Sequence, residues 1–191
     1  MGRITAFEHV TLDGVMQGPG RADEDTRDGF GLGGWAHRFS DSVQGRVMGE
    51  HMAGHEGALV FGRRTYEDFA GFWPYQTDNP FTGVLDKTQK YVASRTLTEP
   101  LPWQNSTLLP GDAVTAIAEL RRELDLVLLG SGDLLQSLMR RDLVDEYVLL
   151  ISPTVVGAGR RLFDGVELGD LRLVTSKPTT TGVIIATYQR G

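Results

Sequence analysis

Short apolar runs alternate with amphipathic segments along most of this chain. The apolar runs predict buried strands, because they are short and rich in Val, Leu and Ile. They lie at residues 4–12, 58–61, 90–93, 107–109, 126–129 and 144–151. Apolar side chains at helical spacing predict helices between them, at residues 41–54, 64–73, 112–124 and 134–139. Strands that alternate with helices are typical of a parallel sheet with helices on both faces.

The end of the chain breaks this alternation. Residues 171–175 and 183–188 have the pattern of strands, and no helical segment lies between them. Two such strands predict an antiparallel hairpin at one edge of the sheet. We therefore expect an α/β fold with three layers (α/β/α), in which a mainly parallel mixed sheet ends in a C-terminal antiparallel hairpin. No repeat or linker divides the chain, so residues 1–191 predict a single domain.

Residues 14–34 form a glycine-rich segment after the first strand. The segment contains seven glycines together with several acidic residues, a composition that argues against a helix. Long ordered loops of this kind often act as lids or binding loops, whereas a loose insertion has the same composition. Both interpretations remain open at the level of the sequence.

Composition and charge exclude several classes of function. The formal net charge is −6, so the surface as a whole should repel nucleic acid and anionic membranes. The chain contains no cysteine, which excludes disulfides, thiolate catalysis and cysteine-based zinc sites. No signal peptide and no apolar run of membrane-spanning length are evident, and we expect a cytoplasmic protein.

Three predicted strands end in turns that suit an anionic ligand. The turns are GRRT at 62–65, SRT at 94–96 and GSG at 130–132. Ligands of open α/β sheets bind beyond the carboxyl ends of the strands, where helix N-termini and arginines can hold phosphates. Asp145 and Glu146 follow the GSG turn too closely to act as the ribose-binding acid of an NAD site. The pattern therefore favours NADPH over NADH.

The ordered set of motifs resembles the dihydrofolate reductase-like superfamily, and within it the branch that contains the riboflavin-pathway reductase domain. The matching motifs are TLDG at 11–14, VFGRRTYE at 60–67, VASRTL at 92–97, LGSGDL at 129–134, LVDEY at 143–147 and PTVVGAG at 153–159. Folate-reducing members carry an acidic residue on the first long helix. The corresponding stretch here is VQGR at 43–46, which argues against a folate-reducing member.

The resemblance implies an NADPH-dependent reductase that transfers hydride to a small pterin- or pyrimidine-like heterocycle, and a homodimer. It implies an adenosine and 2′-phosphate site at Gly62, Arg63, Thr65, Ser94 and Arg95. It implies a pyrophosphate site at Gly130, Ser131, Gly132, Asp133 and Leu134. The backbone around Val10 would meet the nicotinamide carboxamide, and Asp13 and Met16 would border the site of hydride transfer.

Some side chains have both a functional and a structural interpretation. Asp13 is the candidate for orienting the substrate or assisting proton delivery, although a strand-end Asp-Gly also suits a plain turn. Trp35 and Phe39 are candidates for an aromatic substrate pocket, whereas we expect Tyr66 and Trp73 to pack in the core.

Two histidines near the end of the first helix raise the question of a metal site. His51 and His55 are spaced to share a helix face, and each adjoins a glutamate. Because no third ligand can be assigned, we predict no metal.

Two other hypotheses of function stay open. One is a nucleotide-binding module that has a cofactor cleft without catalysis, and the other is a dimeric scaffold whose glycine turns are only structural. The first predicts NADPH binding without turnover, and the second predicts no nucleotide binding.

Overall fold

One eight-stranded sheet organises the computed structural model, which describes residues 1–53 and 57–191. Its strands are β1 (Ile4–Thr11), β2 (Ala58–Gly62), β3 (Lys90–Ala93), β4 (Ser106–Leu108), β5 (Leu126–Leu129), β6 (Glu146–Ser152), β7 (Leu171–Pro178) and β8 (Ile184–Arg190). The helices are α1 (Ser42–Ala53), α2 (Arg63–Phe72), α3 (Pro80–Lys87), α4 (Ala113–Leu120) and α5 (Gly132–Met139). The predicted end of α1 at Gly54 lies outside the described residues.

The strand order is β4-β3-β2-β5-β1-β6-β8-β7. From β4 to β6 all neighbouring strands are parallel, whereas β8 runs antiparallel to β6, and β7 runs antiparallel to β8. This order confirms the predicted mixed sheet with its C-terminal antiparallel pair. The N-terminal strand β1 lies in the interior, where Ile4 is paired with Leu126 of β5 and Thr5 with Glu146 of β6.

Alternate residues of each strand face two separate hydrophobic clusters, as the pleat of a strand requires. Ala6 and Val10 of β1 belong to the cluster that contains Leu135 of α5 and Ile117 of α4. Phe7 belongs to the opposite cluster, which includes helices α1 to α3. Helices therefore cover both faces of the sheet and complete the predicted three layers.

Helix α3 has no counterpart among the predicted helices. It is only eight residues long, and the side chain of Asn79 accepts a hydrogen bond from the backbone N–H of Phe81 at its start (3.0 Å). Its end is joined to β3 by the buried Lys90, whose Nζ donates to the carbonyl oxygens of Leu85 (2.6 Å) and Thr88 (2.7 Å). Its apolar residues Phe81, Val84 and Leu85 are at helical spacing, but Gly83 inside the segment has a low helix propensity and weakens the signal.

The glycine-rich segment 14–34 is an ordered loop built around the buried Gln17. The Gln17 side chain donates to the carbonyl oxygen of Arg27 (3.0 Å) and accepts from the backbone N–H of Arg160 (3.0 Å). Trp35 Nε1 donates to the Gln17 carbonyl oxygen (2.8 Å), and the Trp35 ring packs with Phe30 and Val15 in a small hydrophobic cluster. These contacts join segment 14–34 to the loop that follows β6.

None of the helices in the described part of the chain is both long and apolar enough to cross a bilayer.

Candidate functional site

A cavity of about 810 Å³ opens at the carboxyl ends of the central strands. Its lining includes the turns that follow β2, β3 and β5, together with residues of β1 and of segment 14–34. The three turns come together because β3, β2 and β5 are adjacent in the sheet. The predicted site residues that line the cavity are Met16, Gly62, Arg63, Thr65, Ser94, Arg95, Gly130, Ser131, Gly132, Asp133 and Leu134.

The β5–α5 turn places the N-terminus of α5 at the cavity wall. Gly130 and Ser131 both adopt left-handed backbone conformations, each with φ of 71°. The Ser131 hydroxyl accepts a hydrogen bond from the backbone N–H of Gly62 (2.8 Å), which ties this turn to the end of β2. A side chain at Gly132 would overlap the Met16 sulfur, so the thioether lies directly against the turn. Because the N-terminal N–H groups of a helix attract anions, this wall suits a phosphate group.

Three arginines from separate segments meet at Asp133 in the first turn of α5. Arg27 Nη1 lies 2.6 Å and Arg160 Nη1 lies 2.9 Å from the carboxylate oxygens of Asp133, and Arg64 Nη1 lies 4.0 Å away. Burial raises the pKa of Asp133, but the hydrogen bonds and charges of Arg27 and Arg160 outweigh it and lower this pKa. We call Arg27, Arg64 and Arg160 the arginine cluster. It places guanidinium groups beside the α5 N-terminus, where Asp25, Asp28 and Asp133 pair with Arg27 and Arg160.

The arginine cluster was only partly visible in the sequence. Arg64 lies in the GRRT turn at 62–65, one of the three turns that suit an anionic ligand. Arg27 and Arg160 reach the cavity only through the paths of segment 14–34 and of the loop after β6. The basic GAGRR stretch at 157–161 was the available signal.

The β3 turn supplies the rim of the cavity. Ser94 Oγ accepts hydrogen bonds from the backbone N–H groups of Thr96 (3.1 Å) and Leu97 (2.9 Å), which holds the turn in place. Arg95 is exposed beside it and lines the cavity. Arg63 also lines the cavity, and its Nη1 donates to Glu67 one helical turn along (2.7 Å). Hydroxyl and guanidinium groups therefore converge at this rim.

Aromatic side chains form another part of the cavity lining. Phe7, Phe69, Trp73 and Phe81 line it, and we call these four residues the aromatic wall. The ring centroids of Trp73 and Phe81 are 5.3 Å apart in an edge-to-face arrangement. Tyr66 is fully buried, as expected, and Trp73 packs against the same core cluster, as expected, while it also borders the cavity. A wall of this kind suits a flat ring.

Glu8 and His9 of β1 line the deep part of the cavity. Burial raises the pKa of Glu8 to about 8, and the nearby charge of Glu24 adds to this effect. Burial lowers the pKa of His9 to about 4, so its imidazole is neutral at pH 7. Sequence analysis did not single out either residue. The available signal was a pair of ionisable residues inside an otherwise apolar strand.

The backbone of β1 also opens into the cavity. The pairing of β1 with β5 ends at Phe7, which is paired with Leu129 and whose carbonyl oxygen accepts from the Gly130 N–H (2.9 Å). The pairing of β1 with β6 continues to Thr11. Backbone groups of a strand alternate between its two edges. The backbone groups of His9 therefore point towards the edge that β5 has left. Val10 itself packs in the core and lies outside the cavity lining, which moves the expected backbone contact from Val10 to His9.

Asp13 does not border the cavity. Its carboxylate accepts hydrogen bonds from the Thr11 hydroxyl (2.6 Å) and from the backbone N–H groups of Val156 (3.1 Å) and Gly157 (2.8 Å). The hydrogen bond from Thr11, followed by those from Gly157 and Val156, lowers the pKa of Asp13 to about 2. These contacts correct the expected role in proton delivery: Asp13 joins the end of β1 to the loop after β6.

Trp35 and Phe39 also lie outside the cavity lining. Trp35 belongs to the small core of segment 14–34, where its indole N–H donates to the carbonyl oxygen of Gln17. Phe39 packs against the cluster that contains Val47, and its carbonyl oxygen accepts from Gln44 Nε2 (2.7 Å). The aromatic residues that the structure offers to a ligand are therefore those of the aromatic wall.

Within residues 1–53 and 57–191, no group of three His, Asp or Glu side chains is arranged to hold a metal ion. His51 Nδ1 donates to the carbonyl oxygen of Val47 (3.0 Å), a local helix contact. His55 and Glu56 lie outside the described residues.

Comparison with known proteins matches this architecture. YyaP, an uncharacterized protein of Bacillus subtilis (strain 168), is 26% identical over 138 residues, which cover 68% of this chain and 72% of YyaP. A Shewanella sp. PV-4 protein assigned to riboflavin biosynthesis has 25% identity and a TM-score of 0.73, with 99% of each chain covered. A dihydrofolate reductase from Enterococcus faecalis, complexed with NADP(H) and RAB-propyl, has 14% identity and a TM-score of 0.64 over 100% of this chain and 97% of its own.

The fold is therefore that of the dihydrofolate reductases, as the sequence motifs predicted. The family profile of the RibD C-terminal domain matches residues 3–185, nearly the whole chain. With the sheet order and the position of the cavity, this match identifies the chain as a member of the RibD C-terminal domain family.

Proposed function

We propose that this protein is an NADPH-dependent reductase that transfers hydride to a small, flat heterocycle of the pyrimidine or pterin type. The observation that carries the proposal is a single cavity with two chemically different sides. One side has the α5 N-terminus, the arginine cluster and the hydroxyl-rich β3 turn, and the other has the aromatic wall. A phosphate-bearing cofactor and an apolar ring would thus share one enclosed space.

The residues present fit a dinucleotide phosphate. The N–H groups at the start of α5 would receive the pyrophosphate beside the arginine cluster, while Asp133 holds two of these arginines in position. Arg95 and the Ser94 hydroxyl at the rim would hold the 2′-phosphate, because guanidinium groups bind phosphate through paired hydrogen bonds. The backbone of His9 would meet the carboxamide of the nicotinamide ring.

The chain's contribution to the reaction is orientation and exclusion of water. Bound NADPH supplies the hydride. The aromatic wall would hold the acceptor ring, and Met16 of segment 14–34, together with the ion pairs of this segment, would close the cavity over the reacting rings. His9 stays neutral at pH 7, so the deep end of the cavity favours an uncharged ring.

Nucleotide binding is the first test of the proposal. We expect calorimetric titration to show binding of NADPH and weaker binding of NADH. Arg95→Ala should weaken NADPH binding by about 10- to 100-fold, the usual loss for a charge-assisted contact, and should change NADH binding little. The exposed Arg122 on the other side of the molecule offers a matched control, because Arg122→Ala removes the same charge away from the cavity.

The outcomes separate the rival functions. Binding of NADPH with no turnover on any pterin or pyrimidine would favour a nucleotide-binding module. If neither nucleotide binds, the reductase proposal fails and a scaffold role replaces it. Equal losses for NADH and NADPH in Arg95→Ala would remove the 2′-phosphate assignment.

We also propose that the protein acts in the cytoplasm as a homodimer. The edge strand β7 carries half-exposed apolar side chains, with Leu173 50% and Val174 45% exposed, and Ile184 at the start of β8 is 44% exposed. Edge strands with such side chains favour pairing with another chain. Light scattering should give a dimer that Leu173→Lys dissociates, whereas Val155→Lys in the loop after β6 should not; a monomeric wild type would contradict the proposal.

A further inference from the structure

Glu8 is a buried acid at the wall of the cavity. The residue is 5% exposed and belongs to the cavity lining. Its Oε1 atom has no hydrogen-bond partner in the part of the chain that the structure describes. Buried polar atoms almost always have partners, and an exception at a cavity wall points to a ligand group.

The surroundings of Glu8 favour its neutral form. No Lys, Arg or His side chain forms an ion pair with Glu8 among residues 1–53 and 57–191. Glu24 of segment 14–34 adds negative charge nearby, and the neighbouring His9 is neutral at pH 7. Two other carboxylates of the cavity lining are paired with arginines, Asp25 with Arg27 and Asp133 with Arg27 and Arg160.

We propose that Glu8, as a neutral carboxylic acid, binds an amide edge of the ligand, that is, a carbonyl oxygen beside an N–H group. A neutral carboxyl group has one O–H donor and one carbonyl acceptor side by side. An amide edge presents the complementary acceptor and donor, so the two groups form a closed pair of hydrogen bonds. This recognition would leave no buried polar atom of either partner unsatisfied.

Two ligands carry an amide edge. The first is part of the cofactor of the proposed reductase, so for this ligand the inference rests on the proposed function. One is the primary carboxamide of the nicotinamide ring. The other is the lactam group of an oxidised pyrimidine or pterin ring. Glu8 faces the same side of β1 as Val10, whose cluster includes Met16, and it adjoins the free backbone edge at His9. A carboxamide held there would contact both the strand and the acid.

The experiment uses two variants that separate hydrogen bonding from charge. Glu8→Gln keeps one donor and one acceptor but cannot ionise, whereas Glu8→Leu keeps most of the volume without polar atoms. Glu123→Gln, at an exposed position outside the cavity lining, is the matched control. Each protein is titrated with NADPH by calorimetry between pH 6 and pH 9, and thermal melts confirm that each is folded.

We expect wild-type affinity to be constant at low pH and to fall once the pH exceeds the pKa of Glu8, by up to about tenfold per pH unit. Glu8→Gln should bind as the wild type does at low pH, without this fall. Glu8→Leu should bind at least about tenfold more weakly at all pH values. Glu8→Leu that binds NADPH like the wild type, or Glu8→Gln as weak as Glu8→Leu, would exclude the carboxamide of the cofactor as the source of the amide edge.

Two further probes identify the source of the amide edge. The 3-acetylpyridine analogue of NADPH has no N–H donor, so it should bind the wild type more weakly than NADPH does. The Glu8→Leu variant should bind the analogue and NADPH with about the same affinity. Uracil, added to protein saturated with NADP⁺, carries the lactam edge. If only uracil binding depends on Glu8, the substrate supplies the edge, and if neither ligand depends on it, the inference fails.

Failure of the proposed function gives a different result. In that case NADPH does not bind the wild type at all, and the cofactor source is excluded. The uracil titration of the protein alone then decides whether Glu8 binds an amide edge.

Discussion

At the scale of single residues, Glu8 and Lys90 show two ways of burying an ionisable side chain. Lys90 is fully buried, yet its ammonium group donates to the carbonyl oxygens of Leu85 and Thr88 and lies 4.6 Å from the centroid of the Trp103 ring. Glu8 is buried with an oxygen, Oε1, that has no hydrogen-bond partner among the described residues. We therefore expect opposite effects on stability when each is replaced by a neutral residue.

Glu8→Gln should stabilise the protein at alkaline pH. Because the pKa of Glu8 rises from 4.5 in the unfolded chain to about 8 in the folded protein, the folded state binds its proton more tightly. In the wild type, the stabilising contribution of Glu8 to the free energy of unfolding is fully present below pH 4.5 and is lost as the pH rises towards 8. Denaturant unfolding at pH 9 should show the variant more stable by on the order of 4 kcal/mol, and at pH 4 nearly equal to the wild type. A variant no more stable at pH 9 would contradict the buried, neutral acid.

Lys90→Met should destabilise the protein by about 2–3 kcal/mol, because the carbonyl groups at the end of α3 lose their donor while the methionine only fills the space. For a chain of this size the melting temperature should fall by about 4–10 °C. Lys87→Met is the control, because Lys87 is exposed at the end of the same helix. Equal melting temperatures for the two variants would show that the hydrogen bonds of Lys90 add nothing.

At the scale of structural elements, ion pairs hold segment 14–34 against α5. Asp133 of α5 contacts Arg27 of the segment, and Arg160 bridges Asp133 to Asp28, with Nη2 3.0 Å from the Asp28 carboxylate. Gln17 adds hydrogen bonds to both sides of this contact. The segment is thus attached at its tip by charges and at its base by a buried amide.

Asp133→Asn should loosen the tip of segment 14–34 and leave the base intact. Partly exposed ion pairs contribute about 1 kcal/mol or less, so hydrogen exchange over residues 20–30 should accelerate up to about fivefold. High salt should have the same effect on the wild type, because it screens these charges. Glu119→Gln, which breaks the exposed pair with Arg122 on α4, provides the control. If hydrogen exchange is unchanged in Asp133→Asn, the Gln17 contacts alone hold segment 14–34 in place.

The elements that could be predicted are those whose signal is local. The strand β5, the turn at Gly130 and the start of α5 follow one another in the sequence, so the pattern indicates both the turn and its place at the sheet edge. Trp73, Arg27 and Arg160 could not be placed this way, since their positions depend on how separate loops fold back over the sheet. Asp13 was misleading for a related reason, because its partners at Val156 and Gly157 are far along the chain.

At the scale of the whole molecule, the site combines parts that lie far apart in the chain. The mainly parallel sheet, the layers and the antiparallel end followed from the sequence pattern. The strand order, which the pattern did not predict, brings the turns after β2, β3 and β5 to one edge. The chemistry of the two sides of the cavity did not follow, because it arises from side chains of different elements that meet only after folding. Glu8 and the aromatic wall are examples.

The interior position of β1 affects how the protein folds during its synthesis on the ribosome. Strand β1 is synthesised before both of its neighbours and can pair only after them, because Ile4 pairs with Leu126 and Thr11 with Ser152. Such distant pairings slow folding. We expect nascent chains that expose only residues 1–112 to be degraded by a pulse of protease and those that include β6 and β8 to resist it. Until β6 and β8 have been synthesised, Glu8 and His9 lie in a strand that is exposed to water. The cavity and the raised pKa of Glu8 therefore arise together, in a late step of folding.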